Sequence, residues 1–295
     1  LRITAVRTSA VYSALPAPEA GLPAHPLAAV DPAAPWLAHL AALNELRTAP
    51  APLQALNALA TAQGLATASG MPVQFVPADD AGDRAYEAHI GATGRVPTRC
   101  SGPGALHDLF NALIWLALPQ TKAALNARQA QEIARAGIGA MRGPVRDACT
   151  LIDESGLLLA CADRAMFKTV QQALEDREWK TLFLTRRADW HTRIAPVVLG
   201  HALLEKLVQP YKAITAQVVL FECPELRGAG EFFDGNALAQ IDVRAVCFVQ
   251  QPHLAPSLVA PLPLLGVPGW WRDNARPSFY DDAAVFRPRR PLHVG

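Results

Sequence analysis

"HDLFNALIWLALPQTKAALN" occupies residues 107–126, and its reading decides the fold. From Leu109 to Leu118 only Asn111 is polar. A helix that is apolar on every side is a central, buried one. Pro119 ends it, because proline disfavours the α conformation in the residue before it. Pro119 also suits the first position of a following helix, "QTKAALNARQAQEIARAG". Arg135 and Gly137 fit the C-terminus of that second helix. The stretch therefore predicts a helix–proline–helix corner in the core. Its first residues have two readings. His107 or Asp108 caps the helix, or the pair is chemistry placed at a helix start.

Outward from this corner the signals are mixed. Residues 1–35 read as an arm rich in Pro and Ala, a composition that resists helix. "WLAHLAALNELRT" and "APLQALNALATAQGLA" have helical spacing, "MPVQFVPADD" reads as a short strand running into a turn, and "DRAYEAHIGATG" as a short helix closed by glycine. "DACTLIDESGLLLACA" (147–162) reads as a β-hairpin, with two apolar runs around Glu154-Ser155-Gly156. "DRAMFKTVQQALED" predicts an amphipathic helix and "IAPVVLGHALLEKLVQPYK" another. "AITAQVVLFEC" is the best strand and "GNALAQIDVRAVCFVQQ" a last helix. From Pro252 onward Pro and Gly punctuate a coil-rich wrap. The expected architecture is α+β: a helix-dominated single domain over 36–295 with a small antiparallel sheet.

The totals exclude several classes. The 295 residues are 51% hydrophobic, so a sizeable core forms and global disorder does not. Lys and Arg number 27 against 26 Asp and Glu, which disfavours a nucleic-acid or membrane-surface binder. The basic tail Arg287-Pro288-Arg289-Arg290 reads as a solvated run or a small anion patch. No stretch is long and apolar enough for a membrane span. The five cysteines are odd in number, widely spaced and without C-x-x-C, which argues against disulfides or a zinc ribbon and for a cytoplasmic setting. P-loop, dinucleotide, H-E-x-x-H and G-x-S-x-G motifs are all missing. Gly137-Ile138-Gly139 and Gly228-Ala229-Gly230 read as loops.

Four constellations remain. His107 and Asn111 stand four apart on one helix face beside Asp108, as base or metal ligand with an orienting amide, or as cap and backbone tie. His201 and Glu205 share a face in "GHALLEK"; the carboxylate can fix an imidazole tautomer or share a metal with it, or the two are a surface contact. Lys212, nearby in sequence, can neutralise an anion. Asp153-Glu154, with Arg146-Asp147 at the other end of the segment, can bind a divalent cation or simply populate a turn. In "GVPGWW", Trp270 and Trp271 wall a pocket or pack onto the body.

"YEAHIGATGRVPTR" (86–99), "HDLFNALIWLALPQTKAALN", "RDACTLIDESG", "GHALLEKLVQPYKAITA", "LPLLGVPGWW" and "FYDDAAVFRPRR" together resemble a proteobacterial family without assigned function, the domain-of-unknown-function family catalogued as number 3025. The likeness runs from about Tyr86 to Arg290, and "CSGPGA" after Arg99 departs from it as a longer connection. The resemblance implies no activity. A fainter one links residues 107–126 to the helix leading into HNH homing-type nucleases, but Ala127-Arg128-Gln129 stand where those sites carry histidine.

Two function classes follow. One is a hydrolase-type enzyme with His107, Asp108, His201 and Glu205 in acid–base or divalent-metal chemistry. Asn111, Arg146, Lys212, Trp270 and Trp271 then hold substrate in a Trp-walled cleft. The other is a non-catalytic protein binding a small molecule or a protein partner, with a degenerate HNH-like nucleic-acid binder as a distant third.

Overall fold

The computed structural model describes residues 25–81, 84–137, 143–226 and 235–289. Most of the N-terminal arm, the glycine loops at 138–139 and 228–230, and Arg290 lie outside these residues. The described part of the arm lays Leu27, Val30 and Ala34 into the core.

The first helices are α1 (Leu43–Thr48) and α2 (Pro52–Gln63), the latter with Pro52 in its first turn. Of "WLAHLAALNELRT" only the second half is α-helical; its start is a 3-10 turn. A two-stranded parallel sheet follows, β1 (Gln74–Val76) with β2 (Arg95–Pro97), bracketing α3 (Tyr86–Thr93). Next come α4 (Ala105–Ala117) and α5 (Pro119–Ala136). The corner between them is the predicted one, with Pro119 as the first residue of α5. Leu109 through Leu116 of α4 are all buried, which makes it the central helix. The start of α5 is capped from outside: Gln120 N and Thr121 N donate to the Asp242 carboxylate at 2.9 and 2.8 Å.

The second half departs from the expected pattern in two places. Residues 147–162 are not a hairpin. They form the end of α6 (Pro144–Ser155) and then β3 (Gly156–Cys161) with no loop between them. Val145, Ala148, Cys149 and Ile152 carry helical spacing, and three of these four are buried; local turn chemistry at Glu154-Ser155-Gly156 masked it. Likewise "IAPVVLGHALLEKLVQPYK" is not one helix. It is β4 (Ile194–Val198) followed by the short α8 (His201–Lys206). Between these segments lies α7 (Arg164–Asp176), and after them β5 (Thr215–Glu222), α9 (Gly235–Val249) and β6 (Ala260–Pro263).

The main sheet has the order β4-β3-β5-β6. It is mixed: β3 runs antiparallel to β4 but parallel to β5, and β5 is antiparallel to β6. All six residues of β3 are buried, as befits a strand covered on both faces. Pro196 sits in β4 without cost because β4 is an edge strand. The protein is thus an α+β fold with small sheets set among helices. Among the described residues, no helix is long and apolar enough to cross a membrane.

Candidate functional site

The register of β3 on β4 builds the site. Leu157 pairs with Val198, so the end of α6 and the start of α8 leave the same end of the sheet. Gly156 O accepts from Leu199 N and Gly200 N at 3.0 and 2.9 Å, tying the two together. A side chain on Gly200 would stand 2.6 Å from Glu154 O and from Ser155 Cα, so only glycine permits this approach. His201 is therefore pressed against Asp153 and Glu154. The first turn of α4 packs onto α8 and brings His107 to the same place.

His107 Nε2 and His201 Nε2 are 3.1 Å apart. The rings meet edge to face, with centroids 4.4 Å apart. His107 Nδ1 is 3.1 Å from Glu205 Oε2. His201 Nε2 is 3.7 Å from Glu154 Oε1, and its Nδ1 is 3.9 Å from Asp153 Oδ1. His201 is buried, and its Nδ1 makes no hydrogen bond. The His107, Glu154 and Glu205 side chains are 31%, 40% and 42% exposed, so the centre opens to solvent on their side.

A buried polar chain lies behind. Lys122 Nζ is ion-paired with Asp153 Oδ1 and donates to Asn111 Oδ1 at 2.8 Å. Asn111 Nδ2 donates to Tyr86 Oη at 2.9 Å. Burial pushes the His201 imidazole down to about 4, against the pull of Asp153, so the ring is neutral at pH 7. Burial pushes the Asp153 carboxyl up, but Lys122 and the two imidazoles outweigh it and hold the group below its ordinary value. Glu154, with burial and Asp153 beside it, is raised. Burial and the nearby carboxylates raise Tyr86 as well.

Of the residues singled out in the sequence, His107, His201, Glu205 and Asn111 come together, with Asp153 and Glu154. The others do not. The Asp108 carboxylate is taken by Arg99, which donates from its backbone N, Nε and Nη2 at 2.8, 2.7 and 3.0 Å. Arg146 stands eight residues before Glu154, about 12 Å up the axis of α6. Lys212 pairs with Asp282 at 2.9 Å and lies over the Phe279 ring. Trp270 is buried edge-on against Trp36, and Trp271 packs on the core. Packing, not a site wall, is what the structure shows for the tryptophan pair. Asn126, the asparagine of the nuclease likeness, donates to Glu87 O instead.

Lys122 and Tyr86 were not singled out. Lys122, Asn126 and Gln129 recur at helical spacing and are all buried. That polar stripe, flanked by Ala123 and Leu125, was the available signal.

The class defined by fold and site is an α+β protein with a histidine–carboxylate centre at the mouth of a helix junction. The model for "Protein of unknown function (DUF3025)" matches residues 73–290, and the chain belongs to that family. No curated protein and no solved structure matches it. Every residue of the centre falls inside the family's span.

Proposed function

We propose that the protein is a hydrolase-type enzyme whose centre is the facing imidazole pair His107–His201. The observation that carries this reading is the convergence itself. Two rings 94 residues apart meet at 3.1 Å, each with a carboxylate on its other side, where solvent reaches one of them. His201 stays neutral at pH 7, so its Nε2 offers a lone pair towards the centre. Glu205 orients His107 through Nδ1 and turns its Nε2 towards His201. Lys122 and Asn111 are positioning residues that hold Asp153 behind His201.

The test is an assay of the purified protein on ester, amide and phosphoester substrates. Activity is expected, and His107→Ala should lower it about 10²- to 10⁴-fold, the usual contribution of a general acid–base group. Lys212→Ala, remote from the centre, should leave it unchanged. Activity that survives His107→Ala intact sinks the reading.

A cavity of about 590 Å³ favours a second reading, a small-molecule binder. Leu65, Pro119, Ala123, Arg128 and Val246 line it, away from the imidazoles. Saturable binding abolished by Ala123→Trp would support this. A cytoplasmic location belongs to the proposal too, resting on five free cysteines, as does a proteobacterial source, resting on the resemblance.

A further inference from the structure

We propose that His107, His201 and Glu154 form a site for one divalent transition-metal ion of the zinc class. The inference rests on the hydrolase centre described above and names the ion it uses.

The first argument is where the ring protons lie. A neutral imidazole keeps its proton on the nitrogen that faces an acceptor, and the other nitrogen keeps a lone pair. His107 Nδ1 faces Glu205 Oε2 at 3.1 Å. His201 Nδ1 faces the Asp153 side, with Oδ1 at 3.9 Å. In the tautomer with both protons on Nδ1, His107 keeps its hydrogen bond to Glu205. Both Nε2 lone pairs then point at each other across 3.1 Å, with Glu154 Oε1 3.7 Å from one of them. Three acceptors converging in this way repel each other. A cation shared among them turns the repulsion into coordination. The nearby Lys122 ammonium does not serve them, because it is engaged with Asn111 and Asp153.

The second argument is geometric. Two imidazole nitrogens on a tetrahedral zinc ion, each about 2.05 Å from it, stand about 3.3 Å apart. The observed 3.1 Å is close to that. The three donor atoms all lie within 4.8 Å of one another. Glu154 lies in the last turn of α6 and is partly exposed, so its side chain has room to turn towards the imidazoles. Glu205 and Asp153 then stand as outer carboxylates behind the two ligating rings, the arrangement that orients metal-bound histidines. Two nitrogens and one oxygen select a zinc-class ion over calcium or magnesium, which take oxygen shells. Three protein ligands leave a fourth position for water, as hydrolytic zinc sites do.

The test uses the full chain, stripped with chelator and titrated with Zn²⁺ alone by calorimetry. A parallel titration with Co²⁺ is read by visible absorption. One ion per chain is expected, with an absorption band typical of nitrogen and oxygen ligands. His107→Gln and Glu154→Gln, both at half-exposed positions, should each weaken binding at least about 100-fold with the fold intact by circular dichroism. Glu205→Gln should weaken it about 10- to 100-fold and keep the cobalt band, as loss of an outer partner does. Cys247→Ser should change nothing. No stoichiometric binding, equal affinity for Mg²⁺, or binding untouched by both ligand variants would overturn the site. Zinc bound without hydrolysis of any substrate keeps the site and ends the hydrolase reading. Hydrolysis by chelated protein that binds no zinc does the reverse.

Discussion

Asn274 and His201 are both buried polar side chains, and their surroundings treat them in opposite ways. Asn274 Nδ2 donates to Leu265 O and Val267 O at 2.9 and 2.7 Å, and its Oδ1 accepts from Arg187 at 3.2 Å. Its backbone carbonyl takes Arg187 and Tyr280 as well. Every polar atom of that side chain is used, within a single loop cluster that pins the C-terminal wrap. His201 has one ring nitrogen without a hydrogen bond and the other aimed at a second imidazole and a carboxylate. A buried polar cluster that closes its own hydrogen bonds is scaffold. One that leaves acceptors converging costs stability, and that cost is tolerated where something else is bound or reacts.

The contrast can be broken in three places, taken from the largest expected effect down. Lys122→Met removes the cation that compensates Asp153 in the buried chain. Breaking a buried ion pair from one side costs about 3–5 kcal/mol. Urea denaturation should show a loss of that size; a loss below about 1 kcal/mol would mean Asp153 is solvated and the chain behind the centre is not a support.

A second test concerns acid. His39 is buried, and burial holds it down at about 4 against the pull of the Val198 backbone. Its folded value lies below the unfolded 6.5, so its contribution is fully present above pH 6.5 and is lost as pH falls towards 4. The loss amounts to roughly 3 kcal/mol at most. Denaturation midpoints at pH 7, 6 and 5 should fall in that order, and His39→Leu should reduce the slope by about half, with His201, lowered to the same value, supplying the rest. An unaltered slope would exclude His39 as its source.

The smallest effect is expected at the satisfied cluster. Asn274→Ala leaves the buried Leu265 carbonyl and an Arg187 donor without partners, while Val267 O keeps the Trp270 N–H, and should cost about 2 kcal/mol. The hydrolysis and zinc binding proposed for the centre should not change, since the centre does not depend on this loop. A matching fall in activity would erase the distinction between scaffold and centre.

How much was legible varied with how local the cause was. The α4–α5 corner was readable because an apolar run and Pro119 act on their own neighbours. The end of α6 was not, because Glu154-Ser155-Gly156 carries turn chemistry while the chain passes from helix directly into β3. β4 was hidden because "IAPVV" joins smoothly to the apolar spacing of α8, and Pro196 counts against a strand unless that strand is known to be an edge. The residue types of the centre stood out, yet Asp108, Arg146 and Lys212 stood out equally and serve ion pairs or lie elsewhere. Lys122 escaped notice because a lysine on a helix is ordinarily solvated.

The sequence by itself determined the class, a helix-rich α+β protein with a buried central helix, because composition and periodicity are read one segment at a time. It also named His107 and His201 as open questions. Only the tertiary structure decided that they face each other. The pairing of Leu157 with Val198 and the close approach at Gly200 set α8 against α6. Contacts of that kind depend on strand register and on which helix ends share an edge of the sheet, and neither quantity is written in any local stretch of residues.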